Sequence, residues 1–477
     1  LIAIAKGERS VCNWDEDTLT MAVAAAFDCM GDKDRQKLDA VYMASTTFPF
    51  QDRQNAGILS TALNLKENIQ SSDMGGSQKA GTTSLLTALE NLSGNANKNI
   101  LVAAAETRRT KPGSFYEMWF GDGAAALELG SENVLAEYKG SYSLTSDFNE
   151  HYRGEFKPFD YVWEERWARD EGYGKIIPRA IQGLLEKLDL PISQVDRLVY
   201  PCVFKRDHQK IAKVLGASPE VLEDNMHEVC GETGTAHSLL MLTRALENAE
   251  PGETIVVAGF GHGCDVLCFQ TTENIKNFSP RRGVKKSLEN RKALDNYNKY
   301  LVFKQLLEPD MGMRAEADNP TAMTVLWRNR KMLLALVGGK CTECGTPQFP
   351  KQNICVNPDC GAQDSQEEYE FADKRAKIKT FTGDMLAASV EPPHKYGLIE
   401  FEQGGRFLAD FTDCEQEKLQ VGLPMQMVFR IRSMDHRRGN RQYFWKARPV
   451  PGAKQEKDKI SYDGQVAVIT GAGGGLG

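Results

Sequence analysis

The chain is 477 residues long, 41% hydrophobic and 26% charged, with a formal net charge of −7. That length exceeds one ordinary domain and predicts about three, and the composition is that of a globular protein rather than a disordered or fibrous one. The acidic balance argues against a nucleic-acid or membrane-surface binder, and no apolar run approaches the roughly 18 residues that span a bilayer.

Residues 1–275 alternate helical patterns with short β-rich runs, among them "LDAVYMAS", "NILVAAAE", "AAALELG", "RLVYPCV", "TIVVAGFG" and "DVLCFQT". That order implies a layered α/β fold around buried sheets. Two Gly-punctuated units, "GDGAAALELG" at 121–130 and "GFGHGCDVLCFQ" at 259–270, hint at an internal duplication. Ahead of both, "SDMGGSQKAGTTSLLTALENL" at 72–92 runs from a small-residue turn into an apolar helix. A helix N-terminus stabilises a thiolate or an oxyanion, so such a turn suits a nucleophilic cysteine. This one offers Ser77, Gln78 and Lys79 and no cysteine.

Residues 276–338 change to charged helical character and are read as a helical linker or hairpin, either solvated or docked on another subunit. The segment 339–365 holds Cys341, Cys344, Cys355 and Cys360 in a C-x2-C…C-x4-C pattern. Two short-spaced pairs let two knuckles present four thiolates to one zinc, a closed shell without room for a catalytic water, so the zinc is expected to be structural. Seven further cysteines are scattered along the chain, which fits a reducing, cytoplasmic setting. Residues 366–450 carry five or six short alternating strands with Gly turns, the pattern of a small OB-fold β-barrel. A polar tether at 451–462 then leads into "QVAVITGAGGGLG". There an apolar β-run precedes Gly471, Gly475 and Gly477, spaced to admit a pyrophosphate at a helix N-terminus. Both ends of the chain read as cut, since it begins inside "LIAIAKG" and stops within this glycine motif.

Several blocks carry resemblances. The ribbon followed at once by a barrel resembles the zinc-ribbon/OB-fold proteins that accompany thiolase-type enzymes acting on acyl-CoA. That family implies contact with acyl-CoA or with a thiolase partner. The segment 463–477 looks like the first strand of a Rossmann domain of a short-chain dehydrogenase/reductase, which implies NAD(P). With "DEDTLTMAVAAAFDCM", "SQKAGTTSLLTAL", "GDGAAALELG", "GETGTAHSLLML" and "VVAGFGHG", residues 1–275 resemble the thiolase superfamily, nearest to hydroxymethylglutaryl-CoA synthase and ketoacyl synthase III. The resemblance implies a five-layered α/β/α/β/α fold, usually dimeric, with a coenzyme A thioester as substrate. It also implies a Cys nucleophile, a His, an Asn or second His, and in the synthases a Glu. Aligned on "KAGT", the cysteine falls at Gln78. The glutamate falls near Thr46, the histidine at Tyr200 or Pro201, and the asparagine at Glu232.

Three readings of function follow. The first is a C–C bond-making or bond-breaking enzyme for acyl-CoA that works without a covalent intermediate. Its candidate groups are Gln78, Tyr200, Glu232, His227 and His262, each with a bland alternative as a core or surface residue. It would be coupled to a fused NAD(P)-dependent reductase. The second displaces the nucleophile to Cys264, Cys230 or Cys202, with Cys264 favoured because a thiolase uses a second cysteine near "GFGHGC" as acid/base; an inert core cysteine is the alternative for each. The third is a catalytically silent thiolase-like subunit that scaffolds an active thiolase paralogue through its zinc-ribbon/OB domain. In any of the three the chain is expected to be a homodimer or a heteromer with a thiolase paralogue.

Overall fold

A computed structural model describes residues 6–94, 98–310 and 321–453. The segment 463–477, with Gly471, Gly475 and Gly477 and the expected Rossmann strand, lies outside the described residues.

The first half is built on strands β1 (Ala40–Ala44), β2 (Gln70–Met74), β3 (Ile100–Thr107) and β4 (Asp122–Leu129), ordered β2-β1-β3-β4. β1 pairs in parallel with both β2 and β3, and β4 is antiparallel to β3. The second half uses β5 (Ala136–Thr145), β8 (Arg197–Val199), β9 (Thr254–Phe260) and β10 (Gly263–Thr271), ordered β5-β10-β9-β8. β8 and β9 are parallel and β10 is antiparallel to β9. β4 and β10 therefore follow the same pattern in each half, as the two Gly-punctuated repeats suggest. A small hairpin of β6 (His151–Tyr152) and β7 (Tyr161–Val162) stands between β5 and β8 in sequence.

Period-two alternation on strands that are apolar on both faces places each sheet between helical layers. Val41, Met43, Leu101 and Ala103 pack on α1 (Thr18–Met30) and α2 (Asn55–Ala62). Their neighbours Ala40, Tyr42, Val102 and Ala104 face α3 (Ala80–Ser93) and α7 (His237–Glu247). On the second sheet, Val257, Leu267 and Phe269 face that same central pair of helices. Val256, Ala258, Val266 and Cys268 face the opposite layer, in which α4 (Glu165–Trp167) precedes α5 (Gly174–Lys187) and α6 (Lys205–Val214) follows. Five layers result, as expected.

Among the described residues, the expected charged helical hairpin is instead four short helices, α8 (Gly283–Glu289), α9 (Tyr297–Phe303), α10 (Met323–Arg328) and α11 (Arg330–Leu334). The segment docks on this chain's own α/β unit. Asp28 and Glu247 accept hydrogen bonds from the backbone N–H groups that open α8, and Lys304 is paired with buried Asp122 at 2.7 Å. Charge in this segment serves anchoring as well as solvation.

The ribbon sheet β12-β11-β13 comprises β11 (Val337–Cys341), β12 (Pro347–Gln348) and β13 (Gln366–Glu370). The barrel has six strands: β14 (Ala376–Ile378), β15 (Thr382–Asp384), β16 (His394–Phe401), β17 (Arg406–Asp410), β18 (Pro424–Asp435) and β19 (Asn440–Pro449). Strand β17 pairs β16, and a bridge from Phe411 to Ala447 of β19 draws the sheet round. The barrel has no core separate from the α/β unit. Leu19, Val23 and Ala26 of α1 belong to one buried cluster with Ile399, Met425, Phe429 and Trp445. Phe27 meets Trp445 edge-on at 5.6 Å, and the Trp445 indole donates to the Leu334 carbonyl at 2.8 Å. A buried charge network crosses the same seam. Asp15, fully buried, accepts from Lys446 at 2.9 Å and from the Thr412 hydroxyl at 3.0 Å.

Candidate functional site

The turn before α3 is pinned from below. The Ser77 hydroxyl donates to the Gly261 carbonyl at 2.7 Å, and Lys79 pairs with Asp265 of β10 at 2.9 Å. A Cβ at Gly261 would lie 2.9 Å from the Lys79 nitrogen and 3.0 Å from that of Gln78, so the loop can approach this closely only as glycine. α3 starts without a side-chain cap, which leaves the positive end of the helix beside Gln78.

Gln78 lines a cavity of about 50 Å³, enough for a few water-sized groups. Its amide Nε2 donates to the Thr46 hydroxyl at 3.2 Å and lies 3.2 Å from His151 Nε2, while its Oε1 is buried without a partner. Thr46 hands the contact on to Glu106, donating to it from both backbone N–H and hydroxyl at 3.0 Å. Glu106 is fully buried and also accepts from the hydroxyls of Thr47 and Thr235, so its carboxylate is well satisfied. Across the cavity Arg108 is ion-paired with Glu232, lies 3.6 Å from Asp160, and stacks 3.7 Å over the Phe120 ring. Burial opposes its charge, but Glu232, Asp160 and Glu106 outweigh that and hold the guanidinium above its ordinary pKa. Tyr116, Trp119, Phe204 and Phe260 supply apolar walls. Tyr173, also on the wall, stays a neutral phenol, its pKa pushed well up by burial and then by Glu150 and Glu232.

Of the residues expected from sequence, the structure brings Gln78 and Glu232 together at this cavity. It places Tyr200 elsewhere: that ring is fully buried in the outer-layer core and its hydroxyl donates to the His208 carbonyl. The next residue, Pro201, lines the cavity instead. Cys264 is likewise displaced from the site. Alternation along β10 sends Cys264, with Val266 and Cys268, into the outer-layer core, and burial drives its thiol pKa far up. Cys202 and Cys230 are buried thiols pushed up to about 12 by burial, and among the described residues no cysteine lines the cavity. His227 packs against His237 at 5.9 Å, its pKa held down by burial. His262 sits at positive φ (48°) in the β9–β10 turn that seats Gln78, and its ring does not line the cavity.

Arg108, Glu150 and His151 line the cavity and Glu106 supports it through Thr46, and sequence reading singled out none of the four. A usable signal exists for Glu106 and Arg108. They end the run "ILVAAAETRR", apolar until its last residues, and the carboxyl ends of such strands are where open α/β sheets hold ligands.

The four ribbon cysteines converge as expected. Their sulfurs all lie within 4.8 Å of one another, with Cys341 and Cys360 at 3.9 Å and Cys344 and Cys355 at 3.5 Å. Four thiolates about 2.3 Å from one zinc would stand about 3.8 Å apart, so the set fits a tetrahedral ion. The Thr346 side chain beside Cys344 holds that thiol down to about 6, towards the thiolate a metal needs.

Two α/β halves stacked about a central helical pair, with the Gln78 turn at the start of one central helix, define a thiolase-type fold. A solved hydroxymethylglutaryl-CoA synthase complexed with CoA shares it with a TM-score of 0.56 at 17% identity, over 66% of this chain and 84% of that one. So does PksG, a hydroxymethylglutaryl-CoA synthase from Bacillus subtilis, with a TM-score of 0.53 at 14% identity over 62% and 80%. Residues 185–270 match the family described as 3-oxoacyl-[acyl-carrier-protein] synthase III C terminal. Residues 331–365 match the rubredoxin-like zinc ribbon domain of ChsH2, and 369–430 its C-terminal OB-fold domain. The hydroxymethylglutaryl-CoA synthase of Methanopyrus kandleri is 30% identical over 306 residues, covering 63% of this chain and 87% of that protein. That of Caldivirga maquilingensis is 29% identical over 308 residues, covering 63% and 87%. The chain belongs to the hydroxymethylglutaryl-CoA synthase family.

Proposed function

We propose that the chain makes or breaks a C–C bond next to the carbonyl of an acyl-CoA without forming an acyl-enzyme. The observation that carries this is the group at position 78: a glutamine, in a cavity that no thiol of the described residues lines. An amide can hold a carbonyl or enolate oxygen and cannot carry an acyl group, whereas covalent acyl transfer needs a nucleophile. The cavity is small, which suits the acyl head rather than the nucleotide end of the thioester. Arg108 and Glu232 face each other as a fixed charge pair against which a developing enolate or alkoxide is oriented. Zinc in the ribbon is structural, and the barrel, sharing a core with α1, holds a fixed position relative to the cavity. A reductase beginning near residue 463, using NAD(P), would interconvert the ketone or aldehyde with the alcohol.

The test combines turnover with intact mass. The purified chain is incubated with β-hydroxyacyl-CoA of short chain length, and with β-oxoacyl-CoA plus free CoA as acyl acceptor, and the shortened acyl-CoA and any released aldehyde or ketone are followed by chromatography. The reading expects cleavage with no acyl mass added to the protein at any time. Cleavage that appears only on adding a cysteine-bearing thiolase paralogue would instead favour a scaffold role, and an acyl adduct would sink the non-covalent mechanism.

A further inference from the structure

The polar chain that begins at Thr46 and Gln78 ends on two groups to which sequence reading gave no role. His151 Nε2 stands 3.2 Å from the Gln78 amide, and His151 Nδ1 stands 3.2 Å from Glu150 Oε1. Both side chains are nearly buried, with exposures of 13% and 10%, and both line the cavity. The Gln78 amide nitrogen can only donate, so the His151 Nε2 that faces it presents a lone pair towards position 78 and the ring proton lies on Nδ1, the side on which the Glu150 carboxylate stands at ion-pair distance. That orientation, an imidazole backed by a carboxylate and aimed at the reacting group, is what general-base catalysis requires.

The support is rigid. Arg153, two residues along, is clamped by ion pairing to Asp160 and by donating to the Thr46 carbonyl. The Asp160 N–H donates to the Arg109 carbonyl at 2.9 Å, and the Trp163 N–H donates to that of Glu150 at 3.1 Å. The β6–β7 hairpin is thus tied to the end of β3 and to the residue that touches Gln78. Glu150 Oε2 and Gln78 Oε1, one on either side of the imidazole, are buried without partners. A buried polar atom left unpaired costs about 1–3 kcal/mol, so the dyad is held by its surroundings rather than by having met its own needs.

We propose that His151, oriented by Glu150, is the base that removes the proton from the carbon next to the thioester carbonyl, with Gln78 holding the oxygen. This rests on the acyl-CoA reading above for its substrate, though not for its geometry. The C–H bond breaks, its electron pair moves onto the thioester oxygen to give the enolate, and the proton resides on Nε2. Gln78 Nε2–H, which now donates to the imidazole, turns to the enolate oxygen as substrate displaces that contact. When the enolate carbon attacks a carbonyl electrophile, the C=O electron pair moves onto its oxygen and that alkoxide takes the proton from Nε2; when instead the enolate is reprotonated, its carbon takes the proton back, and either way His151 returns to the neutral form. Glu150 is a positioning residue. The other charged groups lining the cavity with His151 are Arg108, Glu165 and Glu232.

Two measurements on the full chain test this, one needing no substrate. In Gln78→Cys, iodoacetamide labelling of the introduced thiol is read by peptide mass between pH 5 and 9. A base aimed at position 78 makes that thiol react about tenfold or more faster at pH 6.5 than in the Q78C/H151A double variant. In Q78C/E150Q the pH profile moves to higher pH, a shift that a merely structural role would not produce. Equal rates and equal profiles in all three proteins overturn the proposal. The second measurement follows deuterium entering the methyl group of acetyl-CoA in D2O. Exchange by the native chain that is lost in His151→Ala, with circular dichroism unchanged, supports both readings. Exchange that persists in His151→Ala overturns the base assignment. An activated thiol at position 78 without any exchange by the native chain upholds the dyad and refutes acyl-CoA as its substrate.

Discussion

The seam between barrel and α/β unit makes a quantitative prediction through Lys446→Met. Lys446 and Asp15 are 5% and 0% exposed, and their ion pair at 2.9 Å joins β19 to the segment that opens α1. Removing one partner of a buried pair costs about 3–5 kcal/mol when the other charge is left bare. Asp15 keeps the Thr412 hydroxyl at 3.0 Å and Arg430 at 4.0 Å, so the expected loss is lower, about 2–4 kcal/mol. Arg430 makes only a partial substitute. Its charge is already shared with Glu16 and Asp413, and burial pushes its pKa down to about 10. Asp15→Asn combined with Lys446→Met removes both charges and should recover more than half of the loss. The assay is urea unfolding followed in parallel by tryptophan fluorescence and far-ultraviolet circular dichroism. Because the two units share one core, the variant should lower the midpoint of a single transition seen by both probes. A change below about 0.5 kcal/mol, the level of an ordinary surface substitution, would refute the reasoning. So would a double variant no more stable than the single one.

Two further outcomes follow from buried groups. His208 is buried, and burial holds its pKa down to about 4 from 6.5. The unfolded chain therefore takes up a proton that the folded chain refuses, so this contribution to stability is present above pH 6.5 and is lost as pH falls towards 4. The difference is worth about 3 kcal/mol, and His208→Leu should flatten that part of the pH–stability curve, measured by urea midpoints from about pH 7 down to about 4.5. In the ribbon, Cys344→Ser should take bound zinc from about one ion per chain to well below that by elemental analysis. A strong chelator should unfold residues 337–370 first, read as new proteolytic cleavage there.

Much of the fold was legible because its signals are local. Strands apolar on both faces, bounded by glycine turns, could only be buried between helical layers, and the cysteine spacing specified the ribbon. The site was legible only where a motif marked it. Gln78 and Glu232 were found because they occupy positions of recognisable blocks. The block left Tyr200 and Pro201 both open, and just past the end of β8 the two side chains diverge: Tyr200 points into the outer core and Pro201 reaches the cavity. Cys264 failed because side chains alternate along β10, and its neighbour Asp265 is the residue that turns towards α3. Glu150 and His151 lie in a loop-like stretch, with His151 73 residues from Gln78, and nothing in "DFNEHYR" reports that contact. The shared core of α1 and barrel was equally invisible, because each half reads as an amphipathic element whose partner could lie anywhere.

The arrangement of unmet hydrogen bonds separates a rebuilt site from a decayed one. A site that had merely lost its nucleophile would keep polar groups whose partners had vanished, scattered without relation to the cavity. Here three of the four replaced positions have a partner: Thr46 bonds Glu106, Gln78 bonds Thr46, and Glu232 pairs with Arg108. Buried polar atoms without partners occur in several parts of the described structure, and three of them belong to residues of this cavity. Gln78 Oε1, Arg108 Nε and Glu150 Oε2 are buried without a hydrogen-bond partner, and all three residues line the same cavity. Folding alone gains nothing from three unsatisfied groups converging on one small space, since each costs about 1–3 kcal/mol. A bound acyl group with a carbonyl oxygen and an exchangeable proton would meet both donor and acceptor needs. The same groups would then be worth more in the complex than in the free protein, which is the property that distinguishes a binding site from packing.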